Sequence, residues 1–322
     1  MMKSKMIQPA NQIRLFAATA AAVLLLAGCE KESNNIVENG PVAARITSTI
    51  IKQDPTPDTR AAGTAWASGD AIGISGKSGS VTYTNVKFVT TAGDGVFTAD
   101  GGPGNDIYFQ DRNDVEFTAY YPHSGTTGTR PDNGGILQHT FTDADQSAAG
   151  QAKYDFLFAR ATGNSSNPDV KFRFNHCMSR LVLSFLPGDG IATLDDIEYK
   201  LSGMALQGTF NTLTGEAIAT GDLSGMIQLT VPGNSAVELA SPIILFPQQS
   251  DADKTLTLTM RGTTYNATFQ FKENQEDNNV RELASGYSYI YNVKINNTTM
   301  TITPATITPW GNGGGENINS TN

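Results

Sequence analysis

Val81-Thr82-Tyr83-Thr84-Asn85-Val86-Lys87-Phe88 has the composition of a β-strand, and similar segments recur along the chain. β-Branched and aromatic residues predominate in it, as they do in strands that pack on a core. Val115 to Tyr120 alternates between apolar and polar residues, and the turn-forming cluster Gly101 to Asp106 lies between the two segments. No segment keeps a helical period for three turns, and we expect at most one short helical turn, at Asn175 to Arg180. The sequence therefore predicts an all-β protein.

Strand-like segments continue to the end of the chain at intervals typical of β-sandwiches. They are Val42 to Ile51, Phe156 to Ala159, Val170 to Phe174, Leu181 to Leu186, Ile197 to Leu201, Met226 to Val231, Ile243 to Phe246, Leu256 to Met260, Thr264 to Phe271, Tyr287 to Ile295 and Met300 to Thr303. Behind an amino-terminal leader, about 290 residues remain, which suits two domains of roughly 100 to 150 residues each. We therefore expect an amino-terminal sandwich over residues 61–175. A carboxy-terminal sandwich would follow over residues 176–322 and end in a polar tail.

Composition and charge exclude several classes of protein. Charged residues are only 16% of the chain and hydrophobic residues 39%, while 32 glycines supply many turns. The formal charge is −9 and the sequence has no basic clusters, so we expect no binding to nucleic acid. Three histidines and two cysteines offer little for metal or redox chemistry. We expect no metal, no cofactor and no internal disulfide.

The amino-terminus has the features of a lipoprotein export signal. Its apolar run, Leu15 to Gly28, follows basic residues, and about 14 residues at about 1.5 Å each are too few to cross a ~30 Å bilayer core. The run ends in Leu26-Ala27-Gly28-Cys29, a bacterial lipobox. We therefore expect removal of residues 1–28 and lipidation of Cys29, with acyl chains such as palmitate holding the protein on a membrane. A chance cysteine behind an ordinary signal is the alternative.

Residues 29–60 combine a polar tether, a strand-like segment and a proline-containing loop. Val42 to Ile51 is the strand-like segment. Pro55 and Pro57 then favour an exposed, extended loop, because neither can donate to a sheet ladder. Arg60, at the end of this loop, is an accessible target for an arginine-specific protease. The alternative is a plain linker that contains one arginine.

Gly73-Ile74-Ser75-Gly76-Lys77-Ser78 is similar to the end of a phosphate-binding P-loop. That loop needs a glycine where this chain has Ala71, and it needs a helix where Val81 begins a strand-like segment. A hairpin turn rich in glycine and serine is therefore the better interpretation.

His176 and Cys177 are the one adjacent pair that combines the residue types of a base and a nucleophile. Neighbours on an extended chain point to opposite faces, so they rarely share the hydrogen bond that such catalysis needs. The nearby Phe172, Phe174 and Leu181 instead predict that His176 lies in the core, with its nitrogens bonded to backbone groups.

Three acidic clusters are candidates for calcium ligands: Asp143-Asp145, Asp251-Asp253 and Glu276-Asp277. None has the spacing of an EF-hand loop, and we interpret them as solvated loops without a metal. The sequence also lacks a Gly-x-Ser-x-Gly elbow, a zinc-type cluster and an HExxH helix. We therefore expect no enzymatic activity.

A series of short motifs occurs in a fixed order along the chain. They are Trp66-x-x-Gly69-Asp70-x-Ile72-Gly73, Ala119-Tyr120-Tyr121-Pro122, Tyr154-Asp155-Phe156-Leu157-Phe158-Ala159, Phe174-x-His176-x-x-Ser179-Arg180-Leu181, Gly208-Thr209-Phe210-Asn211 with Thr214-Gly215, Leu245-Phe246-Pro247-Gln248, Leu283-x-x-Gly286-Tyr287-x-Tyr289 and Ile307-Thr308-Pro309-Trp310. Together with the lipobox, this series resembles the fimbrillin family, the Mfa-like and FimA-like type V pilins of Gram-negative gut and oral bacteria.

The resemblance implies two consecutive transthyretin-like β-sandwich domains and a lipoprotein precursor that is exported to the outer membrane and built into a fimbrium at the cell surface. In that family an arginine-specific protease removes the amino-terminal strand and so opens a groove in the first domain. A carboxy-terminal strand of another fimbrial subunit fills the groove, and subunits polymerise head to tail.

Carried over to this chain, the resemblance makes Val42 to Ile51 the strand that is removed. Arg60 would be the residue after which the protease cuts, with Arg45 as the second choice. The donor strand would lie after Ile295. Its apolar residues would be Met300, Ile302 and Ile307.

Two interpretations of the function remain open at this point. The first is a structural or adhesive pilin, whose place as stalk, tip or anchor the sequence does not decide. The second is a monomeric surface lipoprotein that binds a host glycan or protein through loops of its second domain. Trp66 and Trp310 are the only tryptophans and both lie in the family motifs, so neither is an obvious sugar platform. This favours the pilin.

Overall fold

The computed structural model describes residues 40–51, 65–102, 104–132, 134–273 and 280–310. In these ranges the chain forms 22 strands, a 3₁₀ turn at Asp143–Gln146 and one short α-helix, Ala148–Tyr154, which we call α1. The prediction of an all-β chain is confirmed. The division into two transthyretin-like sandwiches, at residues 175 and 176, stays a prediction.

Ten strands form within the described residues up to His176. They are β1 (Val42–Ala43), β2 (Arg45–Ile50), β3 (Ala71–Ser78), β4 (Val81–Val89), β5 (Val96–Ala99), β6 (Tyr108–Phe109), β7 (Val115–Tyr121), β8 (Ile136–Thr140), β9 (Leu157–Gly163) and β10 (Asp169–His176). Of these described strands, seven close into a barrel in the order β10-β2-β5-β4-β3-β7-β9. β1 pairs with β6 in a separate two-stranded ladder.

The barrel core follows from the period of two along each strand. In β10, Val170, Phe172 and Phe174 are buried and the residues between them are exposed. Most other members of this core are aliphatic or aromatic residues from the same barrel strands. They include Ile46, Ile50, Ile72, Ile74, Val86, Phe88, Phe97, Val115, Phe117 and Leu157, together with Trp66, Ile107 and Phe109. Burial of this apolar surface stabilises the barrel by roughly 25 cal/mol for each Å² removed from water.

Twelve further strands form in the described residues after His176. They are β11 (Ser179–Pro187), β12 (Ile197–Met204), β13 (Gln207–Asn211), β14 (Ala217–Ala219), β15 (Gly225–Val231), β16 (Leu239–Leu245), β17 (Gln248–Gln249), β18 (Lys254–Met260), β19 (Thr263–Phe269), β20 (Glu282–Leu283), β21 (Tyr287–Ile295) and β22 (Met300–Pro309). Two four-stranded sheets result, in the orders β16-β11-β21-β22 and β15-β12-β18-β19. β13 pairs with β14 on one side and with β8 on the other, and β17 pairs with β20.

A second core lies among these later strands, and it also takes side chains from before residue 175. Tyr120, Leu137, Phe141 and Phe156 belong to it. The ring of Phe156 stacks on that of Phe210 with centroids 4.6 Å apart. The two halves of the chain are therefore joined by a shared sheet and by shared apolar packing.

The expectation of a short helical turn at Asn175 to Arg180 is wrong. β10 runs through His176, β11 begins at Ser179, and only Cys177 and Met178 lie between them. Both of these side chains are buried, and the Cys177 N–H donates to Phe156 O at 2.8 Å. The two-residue link bends at Met178, and it is too short for a helical turn.

Candidate functional site

The strand β2 closes the barrel by lying between two strands that are distant from it in sequence. It pairs in parallel with β10, from Arg45 opposite Asp169 to Ile50 opposite Phe174. On its other side it pairs antiparallel with β5 over only two residue pairs, and the Ser48 N–H donates to Gly95 O at 2.8 Å. Without β2, β10 and β5 would face each other across a gap with unpaired backbone groups.

The inner face of β2 carries Ile46, Ser48 and Ile50, which are all buried, while Arg45 and Thr49 point outward and are exposed. The two isoleucines pack in the barrel core with the phenylalanines of β5 and β10. Burying an isoleucine side chain contributes roughly 1.5 to 3 kcal/mol. β2 is thus an apolar insert that fills a groove between β5 and β10, and we call this space the β2 groove.

Arg45, the second choice for proteolysis, lies at the start of β2. Its Nε donates to Asp169 Oδ1 at 2.5 Å, and this hydrogen bond lowers the pKa of the Asp169 carboxyl. The backbone N–H of Arg45 donates to Pro168 O at 2.8 Å. A protease would have to open this ladder to cut after Arg45. Arg60, the first choice, lies outside the described residues, as does Cys29, the predicted lipidation site.

Trp66 stands at the other end of the segment that joins β2 to β3. Its ring is buried and meets Phe97, Tyr121 and Phe174 edge-on, with centroids 5.2 to 5.3 Å apart. These contacts place Trp66 in the barrel core, five residues before β3 begins. Because Trp66 comes after Arg60, its ring would stay with the barrel after cleavage at Arg60.

β22 holds the three residues assigned to the donor strand. It forms an edge of its sheet in the described part of the chain and pairs antiparallel with β21 along its whole length. Met300 is buried, while Ile302 and Ile307 are half-buried against the second core. In this structure, therefore, the predicted donor strand is paired within a sheet of its own chain.

The end of β22 is held by a stack of aromatic rings. The indole of Trp310 lies parallel to the imidazole of His176, with centroids 4.2 Å apart and an interplanar angle of 7°. His176 Nδ1 lies 2.9 Å from the carboxylate of Asp155. The prediction that His176 lies in the core is confirmed. The prediction that its nitrogens bond to backbone groups is wrong. The carboxylate is the partner, because Asp155 ends α1 directly beside the ring, and Nε2 has no hydrogen-bond partner among the described residues.

The other sequence candidates have structural roles. The hairpin at this place is confirmed, but its turn is Gly79 and Ser80 and not Gly73 to Ser78, which lies in β3 and pairs with β4. Asp145 accepts from the backbone N–H and the hydroxyl of Thr142, and Asp143 accepts from the Gln228 N–H. These bonds fix the 3₁₀ turn and account for both carboxylates.

No group of three or more histidine, cysteine or acidic side chains in the described part of the chain could hold a metal ion. No helix that the structure describes is both long and apolar enough to cross a bilayer. The acidic pair Glu276-Asp277 lies outside the described residues.

Sequence reasoning missed the walls of the β2 groove and the partner of His176. β10 follows β2 by more than a hundred residues, and a parallel pairing over such a distance leaves no local signal in one sequence. Asp155 stands in the quoted motif beside Phe156, but nothing in its spacing from His176 indicates a contact. The only available signal for the groove was the apolar alternation of β2 itself.

The amino-acid sequence is similar to those of known proteins. The family model described as fimbrillin-like matches residues 59–310. A Bacteroides uniformis protein provisionally described as fimbrium subunit Fim1C is 30% identical over 315 residues, which cover 93% of this chain and 96% of that protein.

Two crystal structures, each described provisionally as a cell adhesion protein, share the fold. One, from Bacteroides ovatus, is 32% identical with a TM-score of 0.73 over 84% of this chain and 98% of its own. The other, from Bacteroides uniformis, is 25% identical with a TM-score of 0.61 over 83% of this chain and 99% of its own. The match of the family model over most of the chain, supported by these relatives, shows that this protein belongs to the fimbrillin-like family.

Proposed function

We propose that this protein is a structural or adhesive fimbrial subunit, without enzymatic activity, that assembles by exchange of a β-strand. The observation that carries the proposal is the position of β2, an apolar insert between β5 and β10. A barrel that loses such a strand presents unpaired backbone groups over an apolar groove, which is a template for a strand of another chain. The joint would be heterologous and would not close on itself, so repetition would yield a filament.

Cleavage after Arg60 would start the exchange. While the chain is intact, β2 occupies the groove at a high effective concentration, and this blocks a strand from another subunit. After cleavage β2 is tethered to the barrel only by its own contacts and can leave. Cleavage after Arg45 would leave most of β2 in place, which is the physical reason for preferring Arg60.

The precursor would travel to the outer membrane as a lipoprotein with its acyl chains on Cys29. Two chains hold a protein on a bilayer far more firmly than one, since each buried methylene contributes about 0.8 kcal/mol. Cleavage at Arg60 would then separate the subunit from both β2 and the lipid on Cys29, because both precede Arg60. An anchor subunit would instead escape cleavage and keep the lipid.

The donor strand would come from the carboxy-terminal end, with Met300, Ile302 and Ile307 as its apolar residues. As an edge strand, β22 can detach by breaking one ladder rather than two. Its release would also require the ring of Trp310 to leave His176. A subunit that keeps β22 in place would accept a strand without donating one, as expected at a fimbrial tip.

Treatment of the precursor with an arginine-specific protease tests the proposal. We expect the fragment that contains β2 to be lost, and the subunit to enter polymers with other fimbrial subunits that resist SDS without heating. Electron microscopy should show fibres. A cleaved protein that keeps β2, stays monomeric and binds a host glycan or protein would favour the alternative, a monomeric surface lipoprotein.

A further inference from the structure

Ser48 is the one polar residue on the buried face of β2. It lies between Ile46 and Ile50 on that face, and its side chain is 4% exposed. Its hydroxyl oxygen has no hydrogen-bond partner among the described residues. A buried hydroxyl without a partner is destabilising, because it has given up its hydrogen bonds to water. β2 therefore places an unsatisfied polar group in the middle of its groove.

Apolar residues stand beside Ser48 in the barrel. Phe172 stands beside it in the register of β10, and Gly95 lies on the other side. A Cβ on Gly95 would collide with the backbone oxygen of Ser48 and would lie 3.6 Å from Trp66 Cδ1, so backbone and indole leave no room for a side chain at Gly95. Trp66 Nε1 is itself buried without a partner in the described part of the chain. An aliphatic side chain in place of Ser48 would need no hydrogen-bond partner, whereas the hydroxyl needs one and has none among the described residues.

β22 of a second copy does not fit this groove as a regular strand. Ile302 and Ile307 are five residues apart, and residues at that spacing point to opposite faces of a strand. In its own chain β22 corrects this with one extra residue, where its register shifts between Ile290 and Tyr291. Pro304 has no N–H, which an edge strand tolerates but a strand between two neighbours does not.

We propose that the β2 groove selects a strand of a different subunit, one that places an aliphatic side chain where β2 places Ser48. The inference rests on the proposed function, because cleavage must first free β2. The incoming strand keeps the aliphatic positions of Ile46 and Ile50, adds a third aliphatic side chain between them, and supplies an N–H at each ladder position. β22 does not combine these features, so assembly joins unlike subunits at this groove.

The intact chain provides the first arm of the test. Ser48→Val should raise the urea concentration at the midpoint of unfolding. Thr49→Val is the matched control, because it makes a similar change on the exposed face of the same strand. We expect the control to leave the midpoint nearly unchanged. A Ser48→Val chain that is no more stable than the control would overturn the idea that the buried hydroxyl is unfavourable at this position.

Strand exchange provides the second arm. The full chain is cleaved with an arginine-specific protease and incubated with three synthetic peptides. One covers Val42 to Ile51, one is the same peptide with Ser48→Val, and one covers Thr299 to Pro309. Displacement of the cleaved strand is followed by intact mass. We expect the Ser48→Val peptide to bind about tenfold more tightly than the unchanged peptide, and the third peptide to bind most weakly.

The outcomes separate this inference from the proposed function. If the cleaved chain exchanges its strand but does not prefer the Ser48→Val peptide, the selection proposed here is wrong and strand exchange stands. If the Thr299 to Pro309 peptide competes equally with the Ser48→Val peptide, the groove takes a second copy. If the cleaved chain keeps its strand against all three peptides, the proposed function fails, and the selection of a partner strand fails with it.

Discussion

Trp310 ties the end of β22 to the middle of the chain. Its indole stacks on His176, at the end of β10, and His176 in turn is bonded to Asp155, at the end of α1. Three segments that are distant in sequence therefore meet at one aromatic ring. Such a contact contributes both apolar burial and ring stacking.

Trp310→Ala should lower the free energy of unfolding by about 3 kcal/mol, because it removes a large buried ring that the neighbours cannot replace. Thr306→Ala, an exposed change on the same strand, is the control and should alter stability by less than about 0.5 kcal/mol. Urea unfolding followed by circular dichroism measures both. Equal stability of the two variants would show that the stack does not hold β22.

Cys177 should be unreactive in the folded protein. Burial raises the pKa of its thiol, so the thiolate that reacts with disulfide reagents is scarce at pH 8. We expect Ellman's reagent to label a Cys29→Ala chain slowly in buffer and completely in guanidinium chloride. Rapid labelling of the folded chain would contradict the buried position of Cys177.

At the scale of single residues, the burial of a side chain could be predicted from the sequence, but its hydrogen-bond partner could not. Phe172 and Phe174 on alternate positions before His176 were sufficient to indicate that the histidine lies in the core. The carboxylate that bonds to it belongs to another element, Asp155, and only the folded backbone brings the two together. The unpartnered hydroxyl of Ser48 also became evident only from the structure.

At the scale of elements, β2 is held in the barrel by apolar packing, by two ladders and by the exposed Arg45–Asp169 pair. Its backbone pairs with two strands, but the pairing with β5 covers only Ile46 and Thr47. Ile46 is also one of its two buried aliphatic residues. The stability of β2 in its groove therefore depends strongly on a few side chains.

Ile46→Ala should destabilise the intact chain by about 3 kcal/mol and speed the loss of β2 after cleavage, because it weakens the apolar hold of the strand. Thr49→Ala, on the exposed face, is the control. Unfolding in urea gives the first effect, and intact mass after protease treatment gives the second. If Ile46→Ala left both unchanged, β2 would not be held by its buried face.

Strands were predictable where alternation is local, and their pairing was not. Tyr287 to Ile295 is a strand over the predicted residues, whereas the strand expected at Met300 to Thr303 continues to Pro309. The extension contains Pro304, which an edge strand tolerates. α1 was not expected, because its seven residues are too few for a periodic signal and only Ser147 marks its start. The parallel pairing of β2 with β10 had no local signature.

At the scale of the whole molecule, the removable strand β2 contributes to only one of the two hydrophobic cores. Every buried aliphatic residue of β2 packs in the first core and none belongs to the second, within the residues that the structure describes. Loss of β2 should therefore open the barrel and leave the later sheets folded. These sheets would then stay folded until a strand of another subunit enters the β2 groove.

Cys29→Ala should move the precursor from the membrane fraction to the soluble fraction, because its acyl chains would be lost. Cys177→Ala is the control and should leave the protein with the membrane, since the buried thiol is not a site for lipid. Fractionation of cells that express each variant, followed by immunoblotting, gives the answer. Membrane association of the Cys29→Ala protein equal to that of the control would refute lipidation at this residue.

The central claim is that cleavage after Arg60 removes β2 and admits a strand of another subunit. Its most direct measurement is the amino-terminal sequence and mass of the subunit recovered from fimbriae of cells that carry wild type, Arg60→Ala or the double variant Arg60→Ala with Arg45→Ala. We predict that the wild-type subunit begins at Ala61. Both variants should be exported, keep residues 42–51 and stay out of the fibres. A double variant that enters fibres as the wild type does, with residues 42–51 still attached, would contradict the claim.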